Sequence, residues 1–202
     1  VANNHIGDWT REAMEDTFKI LKENNIEYIG GGYNKQEARS FVIKELDNKT
    51  KIAFLAYTNL GSKYWEAKDN ISGIAWLDEK QIKEDIEKAK KQSDITVVSM
   101  HFGEEYNAYS NKVQQFFSRT AIDNGADLVV GHHPHVIQEI EKYKEGYIAY
   151  SLGNFIFDQF FSKETTEGMI LRVVIEDKQI KEVEPVKVKI SNSFQPSLIT
   201  GH

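Results

Sequence analysis

Three histidines fall within four positions in Val130-Gly131-His132-His133-Pro134-His135-Val136, directly after the apolar run that ends at Val130. A neutral imidazole is the commonest side-chain metal ligand, and a His-x-His pair on a loop leaving a buried strand lets two rings converge on one point. Pro134 fixes its own φ and stiffens that loop. A dense histidine cluster also fits a solvated loop or a set of hydrogen-bonded core rings, so the other histidines decide the matter. His101 follows the apolar run Ile95 to Met100, and His5 follows Val1 to Asn4, which reads like the end of a strand entering a loop. Ligands in open α/β sheets bind in the crevice outside the carboxyl ends of the strands, so three such exits can share one site.

Each exit carries companions of suitable chemistry. Asn4 offers a carbonyl oxygen that a divalent cation tolerates, which leaves His5 free to act as a general acid. Asp8 is spaced to orient His5 by accepting its other ring proton, and equally well to serve as an acid at a helix N-terminus. One of Glu104 and Glu105 could reach the site, although solvent exposure is the default for both. Ser151 and Asn154 are placed either to face the cleft or to build a turn. Competing templates are missing: the chain contains no G-x-S-x-G, no P-loop and no H-E-x-x-H.

Elements to hold these residues follow from periodicity and punctuation. Residues 10–24 place Met14, Thr17, Phe18 and Leu21 at helical spacing. A short strand is expected over Ile26 to Ile29, running into a turn at Gly30-Gly31-Gly32, and a hairpin over Phe41 to Leu46 and Lys51 to Tyr57. Residues 60–77 read as a long loop in which Tyr64, Trp65 and Trp76 line a cleft or, more simply, pack as a satellite of the core. Asp78 caps a helix reaching residue 92, with Ile82, Ile86 and Ala89 inward. Ile95 to Met100 is an apolar strand suggesting burial on both sides. A helix over Asn111 to Asn124 carries Val113, Phe116, Phe117 and Ala121 as its stripe and stops at Gly125. Strands follow at Tyr147 to Ser151, Phe155 to Phe157, Met169 to Ile175 and Lys181 to Ile190. Helix-strand alternation followed by hairpins implies a partly parallel sheet and a second, more antiparallel one, in an α/β sandwich.

The 202 residues fit a single domain over 1–190 with a patternless tail over 191–202. Hydrophobic residues make up 40% and charged residues 28%, as in ordinary globular chains. The net charge of −6 with no basic stripe argues against a nucleic-acid partner. Cysteine is absent, which removes disulfides, thiolate zinc sites and thiol nucleophiles. No run approaches the roughly 18 apolar residues of a membrane helix, and no signal peptide is visible. The opening Val1-Ala2-Asn3 reads as a chain already inside a fold, so an N-terminally truncated fragment is expected.

Four blocks, in order, carry a resemblance. Ala2-Asn3-Asn4-His5-Ile6-Gly7-Asp8, His101-Phe102-Gly103-Glu104-Glu105-Tyr106, the stretch Gly125 to His135, and Tyr150-Ser151-Leu152-Gly153-Asn154-Phe155-Ile156-Phe157-Asp158 look like the signature blocks of the CapA family. These poly-γ-glutamate capsule biosynthesis proteins resemble calcineurin-like metallophosphoesterases in fold. The resemblance implies a four-layer α/β/β/α metallophosphoesterase-like sandwich with a dinuclear centre of divalent ions (Mn, Zn, Fe or Mg). By that analogy Asn4, His101 and His133 hold one metal, His135 reaches the other, and His5 protonates the leaving oxygen with Asp8 behind it. His132 is an extra ring, and His133 and His135 are preferred as ligands because they form the H-x-H pair.

Further ligands of the superfamily, including an aspartate that bridges the metals, lie upstream of the Asn-His block, so this chain is expected to be a poor catalyst alone. The family setting implies a phosphoester or polyanionic polymer substrate and a membrane-bound capsule synthesis complex. It further implies the extracellular face of the membrane, with an anchor in the missing N-terminal segment. Two functions follow: a metal-dependent hydrolase, or a non-catalytic accessory of a polymer synthesis and export complex.

Overall fold

The computed structural model describes residues 1–199. Helix α1 (Arg11–Glu23) begins where the Thr10 hydroxyl accepts from the Ala13 amide, and it buries Met14 and Phe18. The ribbon strand β1 (Gly31–Gly32) and the short helix α2 (Lys35–Ala38) follow. The hairpin of β2 (Val42–Glu45) and β3 (Lys51–Thr58) forms as expected, antiparallel, with Val42 opposite Phe54. After β4 (Gly73–Ile74), Asp78 caps α3 (Glu79–Lys90), which buries Ile82, Ile86 and Ala89 completely.

Strand β5 (Ile95–His101) runs parallel to β3, and β6 (Leu128–His132) runs parallel to β5, with α4 (Lys112–Asp123) crossing between them. The hairpin of β7 (Ile140–Tyr143) and β8 (Gly146–Ala149) completes a six-stranded sheet in the order β2-β3-β5-β6-β8-β7. A second, three-stranded antiparallel sheet pairs β9 (Glu167–Glu176), β10 (Gln179–Ile190) and β11 (Pro196–Leu198).

Alternation along the strands explains the layers. Leu55, Tyr57, Val98, Met100 and Val129 belong to the core shared with α3 and α4. Burying each such large apolar side chain stabilises the fold by about 1.5–3 kcal/mol. The intervening residues, among them Phe54, Val97, Val130 and His132, line a groove of about 500 Å³ beneath the β9–β10 sheet. Ile95 to Met100 carries apolar residues on both sides of the strand, Val98 and Met100 toward the helices and Ile95 and Val97 toward this groove, with Thr96 and Ser99 between them. Helices, central sheet and second sheet are three successive layers of the α/β/β/α arrangement, all within the described residues.

Several expectations give way. Ile26 to Ile29 forms no strand, and Ile26 is 54% exposed. The pairing falls instead on Gly31 and Gly32, which bond to β4 rather than turning. A side chain at Gly31 would strike Phe18, so chain proximity, not turn chemistry, demands glycine there. Phe155 to Phe157 is also not a strand; its side chains are exposed beside the loop that follows Asn154.

The buried face of α4 is rotated from its apolar stripe: Val113 and Phe116 are 46% and 51% exposed, whereas Gln114 and Ser118 are buried with Ala121 and Ile122. The Gln114 amide reaches the Gln138 side chain at 2.8 Å and the Tyr150 carbonyl at 3.4 Å, so a polar network takes the place that periodicity assigns to phenylalanine. Strand β11 arises inside the stretch expected to lack pattern, with Pro196 opposite Ile190.

A buried charge network locks α2 and α3 to the sheet. Arg39 grips Asp85 with two hydrogen bonds of 2.8 and 2.7 Å, and the Tyr57 hydroxyl donates to the same carboxylate at 3.0 Å. Burial, then the Asp85 charge, pushes the Tyr57 phenol well above its ordinary range.

Candidate metal centre and active site

The strand ends bring the expected residues together. His101 is the last residue of β5 and sits in register with His132, the last of β6. Beyond it, His133 and His135 both have positive φ, 100° and 60°. That backbone turns both rings out of the strand direction and toward His101, whose ring centroid lies 5.1 Å from that of His133, with His135 a further 5.8 Å from His133. The ring of His132 follows the strand alternation and lines the apolar groove instead.

Residues 3–8 form a tight turn that presents Asn4 and His5 to these rings. The Asn3 side chain accepts the His5 amide at 2.8 Å, and the Asp8 amide donates to the His5 carbonyl at 3.1 Å. Below the turn, the Trp65 ring occupies the space a side chain at Gly7 would need. Arg11 lies over both Tyr64 and Trp65, 4.9 and 5.1 Å from their centroids. Trp65, with the Tyr64 ring edge-on against it, therefore supports the Asn4–His5 turn from beneath. The positioning roles of Asn3 and Trp65 escaped sequence reasoning; only the glycine at position 7 hinted at a close neighbour.

One hydrogen-bonded chain links four of the residues. Asp8 accepts from His5 Nδ1 at 2.8 Å, Asn4 Nδ2 faces His5 Nε2 at 3.2 Å, and Asn4 Oδ1 lies 2.7 Å from His101 Nε2. The amide orientation is self-consistent: Asn4 donates to one ring and presents its oxygen to the other. In this hydrogen bond His101 Nε2 carries the ring proton; with that proton moved to Nδ1, Nε2 and Asn4 Oδ1 would present two lone pairs, close enough together to share one cation.

On the other side, His135 Nδ1 lies 2.9 Å from Asn154 Oδ1, while Asn154 Nδ2 donates to the Thr165 carbonyl at 3.0 Å. Because the Asn154 oxygen must accept, His135 carries its proton on Nδ1 and leaves the Nε2 lone pair free. Asn154 thus serves the site, while Ser151 accepts the Gly153 amide and builds the turn.

The electrostatics favour neutral rings. Burial first, then the neighbouring His133, pushes His101 down to about 3. Burial also lowers His132 and His133. A neutral imidazole offers a lone pair, which is the state a metal ligand needs. Among the described residues, Glu105, His133 and His135 bring one ligand atom each within 4.8 Å of one another. The nitrogen, amide-oxygen and carboxylate donors therefore fit a divalent cation.

The family profile of bacterial capsule synthesis protein PGA_cap matches residues 1–159, which contain every one of these residues. The chain belongs to this family. It is 34% identical to the PGA biosynthesis protein CapA of Bacillus subtilis, across 98% of this chain and 54% of the relative. It is 33% identical to the capsule biosynthesis protein CapA of Bacillus anthracis, across 94% of this chain and 47% of the relative. A probable polyglutamine synthesis accessory protein of Mycobacterium tuberculosis is 27% identical over 78% of this chain. The chain spans about half the length of the two Bacillus relatives.

Among solved structures, the NAD nucleotidase of Haemophilus influenzae superposes with a TM-score of 0.55 at 12% identity, covering 98% of this chain and 42% of that one. That likeness concerns the fold alone. Within this family frame, the strand-end histidines follow a close backbone approach at Gly131. A β-carbon at Gly131 would collide with the carbonyl oxygen of Tyr150, the residue that follows β8, and press on the Phe102 ring. Gly131→Ala is expected to destabilise the protein by about 3 kcal/mol, read as a shifted urea midpoint, because backbone cannot move aside as a side-chain tip can.

Proposed function

We propose that the intact protein is a metal-dependent hydrolase that cleaves a phosphoester or related bond during poly-γ-glutamate capsule synthesis. The observation that carries this reading is the Asp8–His5–Asn4–His101 chain ending beside His133 and His135, which sets a proton donor against a group of metal ligands. Asn4 and His101 would hold one divalent cation, with His133 and His135 contributing to the centre. A bound divalent cation supplies Lewis acidity toward a phosphoryl or acyl oxygen. In its doubly protonated form, with Nε2 released from the Asn4 amide, the exposed His5 ring would deliver its Nε2 proton to the leaving oxygen while Asp8 holds the ring by its Nδ1 proton.

With a net charge of −6 the chain exerts no overall pull on a polyanion, so positive charge must be supplied locally at the site. A polyanionic polymer or phosphoester substrate, a membrane-bound synthesis complex and an extracellular, membrane-anchored setting complete the proposal. No helix of the described residues is long and apolar enough to cross a membrane, so an anchor would lie elsewhere in the polypeptide.

The experiment is to purify the full-length protein, strip it with chelator and add back Mn²⁺, Zn²⁺, Fe²⁺ or Mg²⁺. Hydrolysis of phosphodiester and γ-glutamyl substrates should appear only with metal. A second reading, a non-catalytic accessory role, is favoured by the likeness to the mycobacterial relative, a probable polyglutamine synthesis accessory protein. Unchanged polymer output in cells carrying His133→Ala together with His135→Ala would select it.

A further inference from the structure

We infer that Glu105 is a direct ligand of a cation held with His133 and His135, so that this chain supplies a three-donor site of its own beside the Asn4–His101 pair. The inference deepens the hydrolase reading and rests on it. The carboxylate and the two ring nitrogens lie mutually within 4.8 Å, a set of two imidazoles and one carboxylate such as divalent transition metals take.

The loop carrying Glu105 is built to hold it there. Gly103, with φ at 98°, reverses the chain after β5, and a side chain at that position would strike the Gln114 amide. Tyr106, also at positive φ, donates its amide to the Pro134 carbonyl at 2.7 Å, which ties this loop to the one bearing His133 and His135. The Tyr106 ring stacks on His135 with centroids 5.9 Å apart, and its hydroxyl accepts from Gln159 Nε2 at 3.0 Å. Glu105 therefore sits between two backbone anchors.

Its carboxylate is uncommitted. Among the described residues no hydrogen bond or ion pair uses it, although the chain is rich in lysine. The neighbouring Glu104 behaves differently and faces the Asn111 amide at 3.5 Å. An exposed glutamate with no cationic partner among the described residues, beside two imidazoles of which His135 presents its free nitrogen, is placed to share a cation with them. The grouping also differs from the one the family resemblance implies, which assigns His133 to the metal of Asn4 and His101.

The test uses the full-length protein, chelator-stripped and titrated with Mn²⁺, reading stoichiometry and affinity by electron paramagnetic resonance and calorimetry. Glu105→Gln is isosteric and exposed, so the apo melting temperature should not move. One Mn²⁺ should weaken by about 100-fold, more than loss of a supporting residue commonly causes, and Glu104→Gln should bind as wild type does. Glu105→Asp should recover part of the affinity.

Failure of the inference and failure of the hydrolase reading differ in outcome. If Glu105→Gln binds like wild type while His133→Ala loses an ion, Glu105 is no ligand and the metal reading survives. If the wild-type protein takes up none of Mn²⁺, Zn²⁺ or Fe²⁺, both fall together.

Discussion

His5→Ala in the full-length protein is expected to lower kcat by about 10²- to 10⁴-fold on an alkyl phosphodiester, with metal content unchanged. The ring is anchored through Nδ1 to Asp8 and stands outside the ligand group, so its loss removes a proton donor and leaves the donors for metal in place. An alkoxide needs that proton as the bond breaks, whereas a nitrophenolate hardly does. The defect should therefore shrink several-fold or more with a nitrophenyl leaving group. An equal loss on both substrates would show that His5 holds the substrate or the turn and does not donate. Asp8→Asn should follow the same pattern at smaller size, since it weakens the support of the ring without removing the ring.

The second large effect concerns stability. Asp85→Ala should cost about 3–5 kcal/mol, the range for breaking a buried ion pair from one side. The Asp85 side chain is 3% exposed and answers both Arg39 and the Tyr57 hydroxyl, so its removal strands a guanidinium and a phenol away from water. Glu84 offers Arg39 a second partner at 3.0 Å, but from a half-exposed position where screening weakens it. Chemical denaturation would measure the loss. A double variant, Asp85→Ala with Arg39→Met, should regain much of it, because an apolar pair carries no desolvation penalty. A single-variant loss below about 1 kcal/mol would mean that the network is already hydrated.

Much of the architecture was readable from spacing and caps. The β2–β3 hairpin, the Asp78 cap of α3 and the parallel pairing of β3, β5 and β6 all follow from local signals that agree with tertiary packing. The exits of β5 and β6 likewise marked where His101, His133 and His135 would meet, because topology places the carboxyl ends of parallel strands side by side, whereas Asn4 and His5 reach them from a turn that follows no described strand. What escaped depends on neighbours distant in sequence. Side chains are excluded at the Gly31–Gly32 pairing by Val1 and Phe18 at the first position and by Glu37 and Ala38 at the second. The rotation of α4 exists because Gln114 finds partners at Gln138 and Tyr150. The two glutamates at 104 and 105 are identical as letters, and only the tether from Tyr106 to Pro134 brings Glu105 to the rings.

The left-handed backbone at His133 and His135 has a consequence for how such a protein can change. A residue with a β-carbon in that region costs roughly 1 kcal/mol or more at each position, a cost glycine would not carry. The most stabilising replacements open to this loop are therefore the ones that erase its imidazoles. Selection for thermal robustness and selection for the site pull in opposite directions at the same two codons. A family member that had lost its chemistry but kept its fold would be expected to drift there first, toward glycine or asparagine, so these two positions discriminate working members from retired ones.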